Sequence, residues 1–389
     1  MTVRGRSVMF VINGLGTGGS ERSVAELIPH LRDAGIEPSF ACLHRRSEGV
    51  QAAVEASGVR VHYLDRARSP LARARRLRRM ISLGGGADLV HTVHFESDLA
   101  GRLAARGLRP RVVCSLVGMP YARARRTDPN LRCSRLEAVR WVDGWTGRRL
   151  VDRFHAVSDS VKQAAIVALG IPAERVTVIR RGRDPSRLGE PGLERRRRVR
   201  AALGLAPDAE VIITVGRQEH PKGLRHLLAA AARLLPTRPR AVLLLAGREG
   251  NTSAELRQLT VRLGLGAERV RFLGHRDDVP DLLAAADVFA LPSLYEGLPG
   301  ALIEAMALGL PAVASDIPAV HEVVEPGRSA LLVPAAEPEP LAAALNSLVA
   351  DPARARALGA RGREIFFQKF TLERYAREMI DLYLGLLET

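Results

Sequence analysis

The stretch with the clearest chemical pattern is residues 292–307, where a loop rich in glycine and proline leads into an almost uncharged helical segment. The loop carries Glu296, and Glu304 is the only charged residue from Gly300 to Pro311. An apolar helix is buried on most of its sides, so a carboxylate within it needs a partner. Sugar hydroxyls can supply that partner, and the N–H groups of residues 298–301, free at a helix start, can bind a phosphate. The alternative interpretation is a Glu304 side chain that faces solvent.

Two cations follow the first predicted strand of the second half of the chain. Gly216 and Arg217 end that strand, and Lys222 with Gly223 opens the next helix. Ligands of α/β sheets bind at the carboxyl ends of the strands, where two cations could neutralise a diphosphate. The chain has 3 lysines and 55 arginines. A lysine at position 222 in such a chain indicates that the site requires a compact ammonium rather than a planar guanidinium. A solvated helix start is the alternative.

A glycine-rich turn after the first predicted strand, residues 13–21, is a third candidate for phosphate binding. It has the GxGxxG spacing of dinucleotide-binding loops, and Ser20 could cap the helix that follows. The acidic residue that would bind a ribose is replaced by the basic segment 44–46, although an arginine pair could suit a 2′-phosphate. A phosphate contact and a tight structural turn both remain open. The glycines of the pattern are Gly14, Gly16 and Gly19.

The composition is that of a globular protein, with 389 residues, 47% apolar and 26% charged, a length that fits two or three domains. No run approaches the roughly 18 apolar residues of a membrane-spanning helix, and the apolar run 8–12 is too short for the core of a signal peptide. We therefore expect a cytoplasmic protein. The three cysteines form no CxxC pair and have no histidine at metal-ligand spacing, which argues against a disulfide or zinc scaffold.

The net charge of +16 is concentrated in the first half of the chain, because residues 1–200 carry +19 and residues 201–389 carry −3. A predicted helix that starts at Ser69 and Pro70 has one apolar side and an otherwise basic surface. Such a surface could bind anionic lipid headgroups or the diphosphate of a lipid-linked acceptor, and a helix with a solvated basic face is the alternative. The arginines concerned are Arg73, Arg75, Arg76, Arg78 and Arg79 on the helix and Arg123, Arg125 and Arg126 beyond it.

Short apolar segments alternate with helical patterns in both halves, which predicts two α/β domains of parallel strands buried on both faces. The pattern breaks around residues 184–209. We expect a Rossmann-like domain at 1–188, a linker at 189–209, a second Rossmann-like domain at 210–365, and a last segment, 366–389, with an amphipathic helix. The predicted strands are Val8–Ile12, Pro38–Leu43, Val59–Leu64, Asp88–Val93, Val112–Leu116, Phe154–Val157, Val211–Val215, Ala241–Ala246, Val270–Leu273, Val288–Leu291, Ala312–Ser315 and Leu331–Val333.

The motifs together resemble those of a known family, the retaining, nucleotide-sugar-dependent glycosyltransferases of family four. The matching residues are Glu296 and Glu304 for the Glu-x7-Glu signature, Gly216, Arg217, Lys222 and Gly223 for the Gly-Arg and Lys-Gly pairs, and Gly18, Gly19 and Glu21 for the N-terminal Gly-Gly-x-Glu loop. The motifs follow the family order and span nearly the whole chain. The resemblance implies a GT-B fold, in which two Rossmann-like domains face a central cleft and the C-terminal helix crosses back to the N-terminal domain.

The resemblance also implies a role for each matching residue. Arg217 and Lys222 would hold the donor diphosphate and act in catalysis with Glu296, and Glu304 would bind the ribose hydroxyls. Glu296 and the backbone that follows it would bind the donor sugar and β-phosphate, while Gly18 and Gly19 close over the phosphates from the other domain. That backbone comprises Gly297, Leu298, Pro299 and Gly300. The family generally works without a divalent metal, so we expect no metal and no cofactor besides the donor.

The sequence departs from the family pattern at two places. Many relatives have a histidine near the reacting sugar in a Thr-x-His-Gly stretch, where this chain has Val117 followed by Gly118. The usual Pro-Asn-Gly-Val-Asp reads Arg-Arg-Gly-Arg-Asp at 180–184. His94, at the end of the fourth predicted strand, could reach the acceptor or be a hydrogen-bonded loop residue. His94, Val117 and Gly118 are therefore the expected acceptor-binding residues.

The resemblance implies transfer of a sugar from a nucleoside diphosphate sugar to a hydroxyl, with a UDP-sugar favoured and GDP-mannose second. We expect a glycan or polyprenyl-linked acceptor in envelope polysaccharide or glycoconjugate synthesis, a peripheral position on the inner face of the membrane, and no nucleic acid partner. One alternative is an NADP-dependent oxidoreductase built on the N-terminal glycine loop, which leaves Glu296 and Glu304 without a role. The other is a non-enzymatic polyanion-binding protein, against which the 4% aromatic content argues.

Overall fold

The computed structural model describes residues 5–65, 67, 69–83, 86–121 and 133–388, so the predicted basic residues Arg123, Arg125 and Arg126 lie outside the described residues. The chain divides into two compact units, Met1–Gly182 with Leu372–Thr389, and Arg183–Thr371. Each contains a parallel sheet with helices between its strands, which confirms the predicted class of two Rossmann-like α/β domains. No helix in the described ranges is both long and apolar enough to cross a bilayer.

The described part of the first unit has a seven-stranded parallel sheet in the order β3-β2-β1-β4-β5-β6-β7. Six strands lie where the sequence predicts them, and the seventh, with three residues, is too short to show a pattern. The strands are β1 (Arg6–Ile12), β2 (Ile36–Cys42), β3 (Arg60–Tyr63), β4 (Leu89–Val93), β5 (Arg111–Leu116), β6 (Arg153–Ala156) and β7 (Val176–Val178). The helices are α1 (Gly19–Glu26), α2 (Ile28–Asp33), α3 (Gln51–Ala56), α4 (Pro70–Leu83), α5 (Phe95–Ala105), α6 (Cys133–Leu150) and α7 (Asp159–Leu169).

The second unit has a six-stranded parallel sheet in the order β10-β9-β8-β11-β12-β13, and all six strands match predicted ones to within a residue. The strands are β8 (Glu210–Val215), β9 (Ala241–Ala246), β10 (Val270–Gly274), β11 (Val288–Leu291), β12 (Ala312–Ser315) and β13 (Leu331–Val333). The helices are α8 (Pro185–Leu188), α9 (Leu193–Ala202), α10 (Leu224–Leu234), α11 (Ser253–Arg262), α12 (Val279–Ala285), α13 (Gly300–Ala307), α14 (Pro318–His321), α15 (Pro338–Ala350) and α16 (Pro352–Lys369).

The last helix, α17 (Leu372–Leu387), packs into the core of the first unit. Its Tyr375 and Met379 belong to the same buried cluster as Phe10 of β1 and Phe40 of β2. The helix therefore covers one face of the first sheet, as expected for a tail that returns to the N-terminal domain. The preceding α16 belongs to the second unit, so the division falls at Leu372, inside the predicted segment 366–389.

The segment predicted as a linker, 189–209, contains the helix α9 and belongs to the second unit. The predicted linker is thus corrected to a packed helix. Three of its arginines are ion-paired, since Arg195 lies 2.6 Å from Asp281, and Arg196 and Arg200 lie 2.5 and 2.7 Å from Asp287. The division between the units comes earlier, after Gly182.

Candidate active site

The connection between β8 and α10 brings the predicted lysine against the loop after β11. A single helical turn, His220–Lys222, is closed by Gly223 in the left-handed conformation at φ 60°. A side chain at Gly223 would collide with the backbone carbonyl of Pro292. Glycine is therefore required here both by the backbone conformation and by the close approach of the two loops.

Lys222 and Glu296 form an ion pair, with Nζ 2.6 Å from Oε1. The hydroxyl of Ser293, which is fully buried, donates to the same oxygen at 2.7 Å. The stem of Lys222 passes Gly216, where a Cβ would lie 3.4 Å from two of its carbons. The Glu296 side chain is 10% exposed and the Lys222 side chain 27%, so the carboxylate is the more buried partner of the pair.

Glu304 is buried in α13, so the interpretation in which it faces solvent is wrong. Its Oε1 accepts a hydrogen bond from Nε of Arg183 at 2.7 Å, and the two side chains are 7% and 5% exposed. The sequence argument that this carboxylate needs a partner holds, but the structure supplies a guanidinium. Arg183 was missed as a site residue, and the signal that could have found it is the arginine at a position where the family pattern has valine.

The start of α13 carries free amide groups next to these carboxylates. Pro299 is the N-cap residue, and no described side chain caps the helix. The Pro299 carbonyl accepts from the amides of Leu302 and Ile303 at 3.1 and 3.2 Å, so the amides of Gly300 and Ala301 precede the first helical bonds. A helix start of this kind attracts an anion.

Arg217, the second predicted cation, has a different partner from Lys222. Its Nη1 lies 2.8 Å from Glu219, and its side chain is 49% exposed. Lys222 therefore pairs with Glu296, whereas Arg217 pairs with Glu219 and has a half-exposed side chain.

Protein atoms of the same unit lie against two glycines of the glycine-rich turn, Gly14 and Gly18. α1 begins at Gly19 with Gly18 as the N-cap, so the prediction that Ser20 caps this helix is wrong. The Glu21 carboxylate folds back against Gly18 and places its charge at the helix start. A Cβ at Gly14 would lie 2.9 Å from a backbone carbonyl of the loop after β2. These contacts favour the tight structural turn over a dinucleotide-binding loop.

The two histidines of β4 and its end lie in different environments. His91 is buried between the hydroxyls of Tyr383 and Ser115, at 2.5 and 2.7 Å, and burial, with a contribution from His155, holds its pKa well below the usual range. It is a neutral core residue. His94 follows the strand at φ 79° and occupies the N-cap position of α5. A positive φ is uncommon for a residue other than glycine and concentrates at functional sites.

Val117 and Gly118 follow β5, where many family members have the histidine. The Val117 side chain packs against the core of the first unit, and its carbonyl accepts from Nη2 of Arg181 at 3.3 Å. Gly118 has open space where a side chain would lie. The position of the usual histidine thus holds an apolar side chain turned inward, with a buried arginine beside its carbonyl.

Two Rossmann-like units, one of which presents a cation, two carboxylates and an uncapped helix start, define a GT-B enzyme. The chain matches the family model Glycosyltransferase Family 4 over residues 17–187 and the model Glycosyl transferases group 1 over residues 209–351. It belongs to glycosyltransferase family 4, as the motifs predicted.

Relatives of known name support this assignment. The alpha-maltose-1-phosphate synthase of Mycolicibacterium smegmatis is 32% identical over 326 residues, which cover 78% of this chain and 80% of that protein. The lipopolysaccharide core biosynthesis mannosyltransferase LpsB of Rhizobium meliloti is 31% identical over 250 residues, covering 63% of this chain and 69% of the relative. The crystal structure of Anabaena HepE in complex with UDP and glucose has the same fold, with a TM-score of 0.85 at 22% identity, over 98% of this chain and 100% of that one.

Proposed function

We propose that this glycosyltransferase moves a sugar from a nucleoside diphosphate sugar to a hydroxyl of a glycan or lipid-linked acceptor, with retention of the anomeric configuration, in envelope polysaccharide or glycoconjugate synthesis. The observation that carries the proposal is the Lys222–Glu296 pair at 2.6 Å. Glu296 precedes Glu304 by eight residues and the start of α13 by four. A cation and free amides suit phosphates, and carboxylates suit sugar hydroxyls.

UDP is the favoured nucleotide and GDP the second. Structures of HepE with the same fold hold UDP and UDP-glucose. An Escherichia coli relative, 29% identical over 59% of this chain, is named as a UDP-Gal:alpha-D-GlcNAc-diphosphoundecaprenol alpha-1,3-galactosyltransferase, which also supports a lipid-linked acceptor. LpsB is named as a mannosyltransferase, which supports GDP-mannose as the second candidate donor.

In the proposed reaction, the bond between the anomeric carbon and the β-phosphate oxygen breaks while the acceptor oxygen bonds to the same face of that carbon. The acceptor proton passes to the departing phosphate. Lys222, Arg217 and the amides at the start of α13 stabilise the charge that develops on the phosphate, and Glu296 orients the donor sugar. Glu304 binds the ribose hydroxyls. Because these groups supply the positive charge, the proposal includes no metal ion or organic cofactor.

Thermal unfolding with UDP, GDP, ADP and NADP, each in EDTA, tests the donor site. A ligand at 100 times its Kd adds about 2.7 kcal/mol of stability. We expect one nucleoside diphosphate to stabilise the wild type and Glu325→Gln, and not Glu304→Gln. Glu325 is a suitable control because it is an ion-paired glutamate of the same unit, 2.6 Å from Arg361. Stabilisation by NADP alone would favour the oxidoreductase instead.

Most of the apolar side of the basic helix α4 packs against the protein, although Leu71 is 63% exposed. Its Ala74, Leu77 and Ile81 are buried at 6%, 0% and 3% exposure, so they form part of the core. Arg75, Arg76, Arg78 and Arg79 are exposed, whereas Arg73 is 14% exposed and lies 3.6 Å from Glu96. This pattern favours the alternative interpretation, a layer helix with a largely solvated basic face.

A surface on α6 fits an anionic membrane better. Trp141 and Trp145, the two tryptophans of the chain, are 66% and 37% exposed and stack with their ring centroids 6.5 Å apart. The Arg149 guanidinium lies 4.9 Å from the Trp145 ring, and Arg148 is exposed beside it. Tryptophan and arginine are side chains that bind at the interface between lipid and water.

We therefore propose that the protein works at the inner membrane surface and docks through α6. Sedimentation with vesicles of anionic and of neutral lipid tests this part. Trp141→Ser with Trp145→Ser should lose binding to anionic vesicles, whereas Val167→Ser, at a valine that is 83% exposed on the neighbouring helix α7, should not. Equal binding by all three proteins would contradict the assignment of α6.

A further inference from the structure

The loop between β2 and α3 lies against the glycine-rich turn that follows β1. The amide of His44 donates to the Asn13 carbonyl at 2.9 Å, and the amide of Val50 donates to the Gly16 carbonyl at 3.3 Å. Gly49 has a φ of 107°, and a side chain there would collide with the backbone of Gly16. The loop is therefore held close to the turn at both of its ends.

Arg46 is the residue of this loop whose side chain lies over the glycine-rich turn. A Cβ built on Gly14 would lie 3.0 Å from both Cγ and Nε of Arg46, so the arginine stem uses the space that a side chain at Gly14 would fill. The Arg46 amide donates to the Gln51 side chain at 2.8 Å. Because its backbone and its stem are held in this way, Arg46 loses little freedom when its exposed side chain binds a ligand.

Arg46 differs from the neighbouring cations in having no counter-charge. His44 lies 3.9 Å and Arg73 3.6 Å from the Glu96 carboxylate. Arg45 lies over a tyrosine ring of β3, with Cζ 3.8 Å from the ring centroid. Within the described ranges of the chain, Arg46 forms no ion pair and its guanidinium forms no hydrogen bond. Its charge is therefore available to an anion that the described protein does not supply.

Arg46 follows β2 at the edge of the first sheet where the carboxyl ends of the strands lie. β1 and β2 are parallel neighbours, so the glycine-rich turn and the loop that carries Arg46 leave the sheet side by side. Ligands of open α/β sheets bind at this edge. An exposed arginine without a carboxylate partner suits a phosphate here, because a guanidinium binds phosphate through two parallel N–H···O bonds.

We propose that Arg46 is an acceptor-binding residue and that its guanidinium pairs with a phosphate group of the acceptor. The proposed donor-binding residues Lys222, Glu296 and Glu304 belong to the second unit, whereas Arg46 belongs to the first. The phosphate is therefore assigned to the acceptor rather than to the donor. This inference rests on the proposed function, and it specifies the acceptor as a compound that carries phosphate.

Titration calorimetry with inorganic pyrophosphate and with geranyl diphosphate tests the proposal. The titrations are carried out at a saturating concentration of the nucleoside diphosphate that binds the protein, so that the donor site is occupied. The proteins compared are the wild type, Arg46→Gln, Arg46→Lys and Arg109→Gln. Arg109 is the matched control because it is an exposed arginine of the same unit that precedes β5, and it therefore lies at the opposite edge of the sheet.

We expect Arg46→Gln to raise the Kd of both probes about 10- to 100-fold, which is the scale of a lost hydrogen bond to a charged group. Arg46→Lys should recover part of the affinity, because it keeps the charge without the planar fork. Arg109→Gln should bind both probes like the wild type. Tighter binding of geranyl diphosphate than of pyrophosphate would identify the phosphate as lipid-linked, and the reverse order would identify a phosphate on a lipid-free glycan.

The proposal would be overturned if the wild type bound neither probe, or if Arg46→Gln and Arg109→Gln had equal Kd values. A raised Kd of the nucleoside diphosphate in Arg46→Gln would also overturn it, because the arginine would then belong to the donor site. If the wild type bound neither UDP nor GDP, the proposed function itself would fail, whereas pyrophosphate binding without nucleotide would still report on Arg46. Melting temperatures show whether Arg46→Gln folds, and if it does not, Arg46→Lys carries the test with a smaller loss of affinity.

Discussion

Replacement of Lys222 by methionine removes the ammonium while keeping an unbranched apolar stem along Gly216. In the wild type, Nζ lies 2.6 Å from Glu296, and the Ser293 hydroxyl donates to the same oxygen at 2.7 Å. The variant leaves a carboxylate that is 10% exposed, with the Ser293 hydroxyl as its remaining hydrogen-bond donor among those described. The substitution therefore disturbs the folded state as well as the proposed phosphate contact.

The two effects differ in size. Loss of a hydrogen bond to a charged group costs about 1.5–3 kcal/mol of folding free energy. Loss of one preorganised donor to a charge that develops in the transition state lowers kcat by about 10²–10³-fold, which is about 2.7–4 kcal/mol in the barrier. The variant should remain folded, because domains of this size are stable by about 5–15 kcal/mol. Its kinetic defect should therefore be measurable in a folded enzyme.

The assay follows release of UDP from UDP-glucose and of GDP from GDP-mannose in EDTA, with circular dichroism to confirm folding. Lys369→Met is the matched control, because Lys369 is an exposed lysine of the same unit. We expect kcat to fall in Lys222→Met alone. A kcat within about threefold of the wild type, or an equal loss in Lys369→Met, would refute the role assigned to the lysine.

Three further predictions concern stability and loop geometry. Arg102 is 1% exposed and lies 2.7 Å from Asp143. Arg102→Met should lower the free energy of unfolding in urea by about 3–5 kcal/mol, because buried carboxylates lose their partner. A decrease below about 1 kcal/mol would contradict this prediction. Burial raises the pKa of Asp98 to about 7, so stability should fall as pH rises from about 4 to about 7, by at most about 1.4 kcal/mol per pH unit, and Asp98→Asn should flatten that slope. Gly223→Ala should weaken UDP or GDP binding and lower the melting temperature more than Gly264→Ala does. Gly264 is the matched control because its φ of 64° is similar but open space surrounds it. Equal effects of the two substitutions would contradict the predicted collision with the Pro292 carbonyl.

The strands could be predicted because parallel strands covered on both faces are continuous apolar runs. β9 is buried at all six positions, and its predicted bounds are the observed ones. β7, with three residues and a burial that decreases along it, gives no such signal. The C-terminal helix was predictable from its spacing of apolar residues, and its position could be inferred only from the resemblance.

The contacts of single charged side chains could not be predicted in the same way. Arg183 and Glu304 are 121 residues apart in sequence, and their contact depends on how Phe370 and α8 place the backbone. The segment 189–209 was predicted as a linker because sequence patterns do not show that Asp281 and Asp287 lie beside Arg195 and Arg196 of α9. Local patterns predict elements, whereas partners across elements follow from packing.

The two departures from the family pattern, Val117 and the basic segment 180–184, are in contact. Arg181 contacts the carbonyl of Val117, in the stretch where the usual histidine is missing from the first unit. Arg183 pairs with Glu304 in the second unit. One segment that is uncharged at these positions in the family pattern thus supplies a buried guanidinium to each candidate site. Since a buried arginine keeps its charge, it has to be balanced by an anion, and the Glu304 carboxylate balances Arg183 at 2.7 Å. A change of Val to Arg at position 183 is therefore compatible with the fold because the carboxylate of the Glu-x7-Glu signature lies beside it.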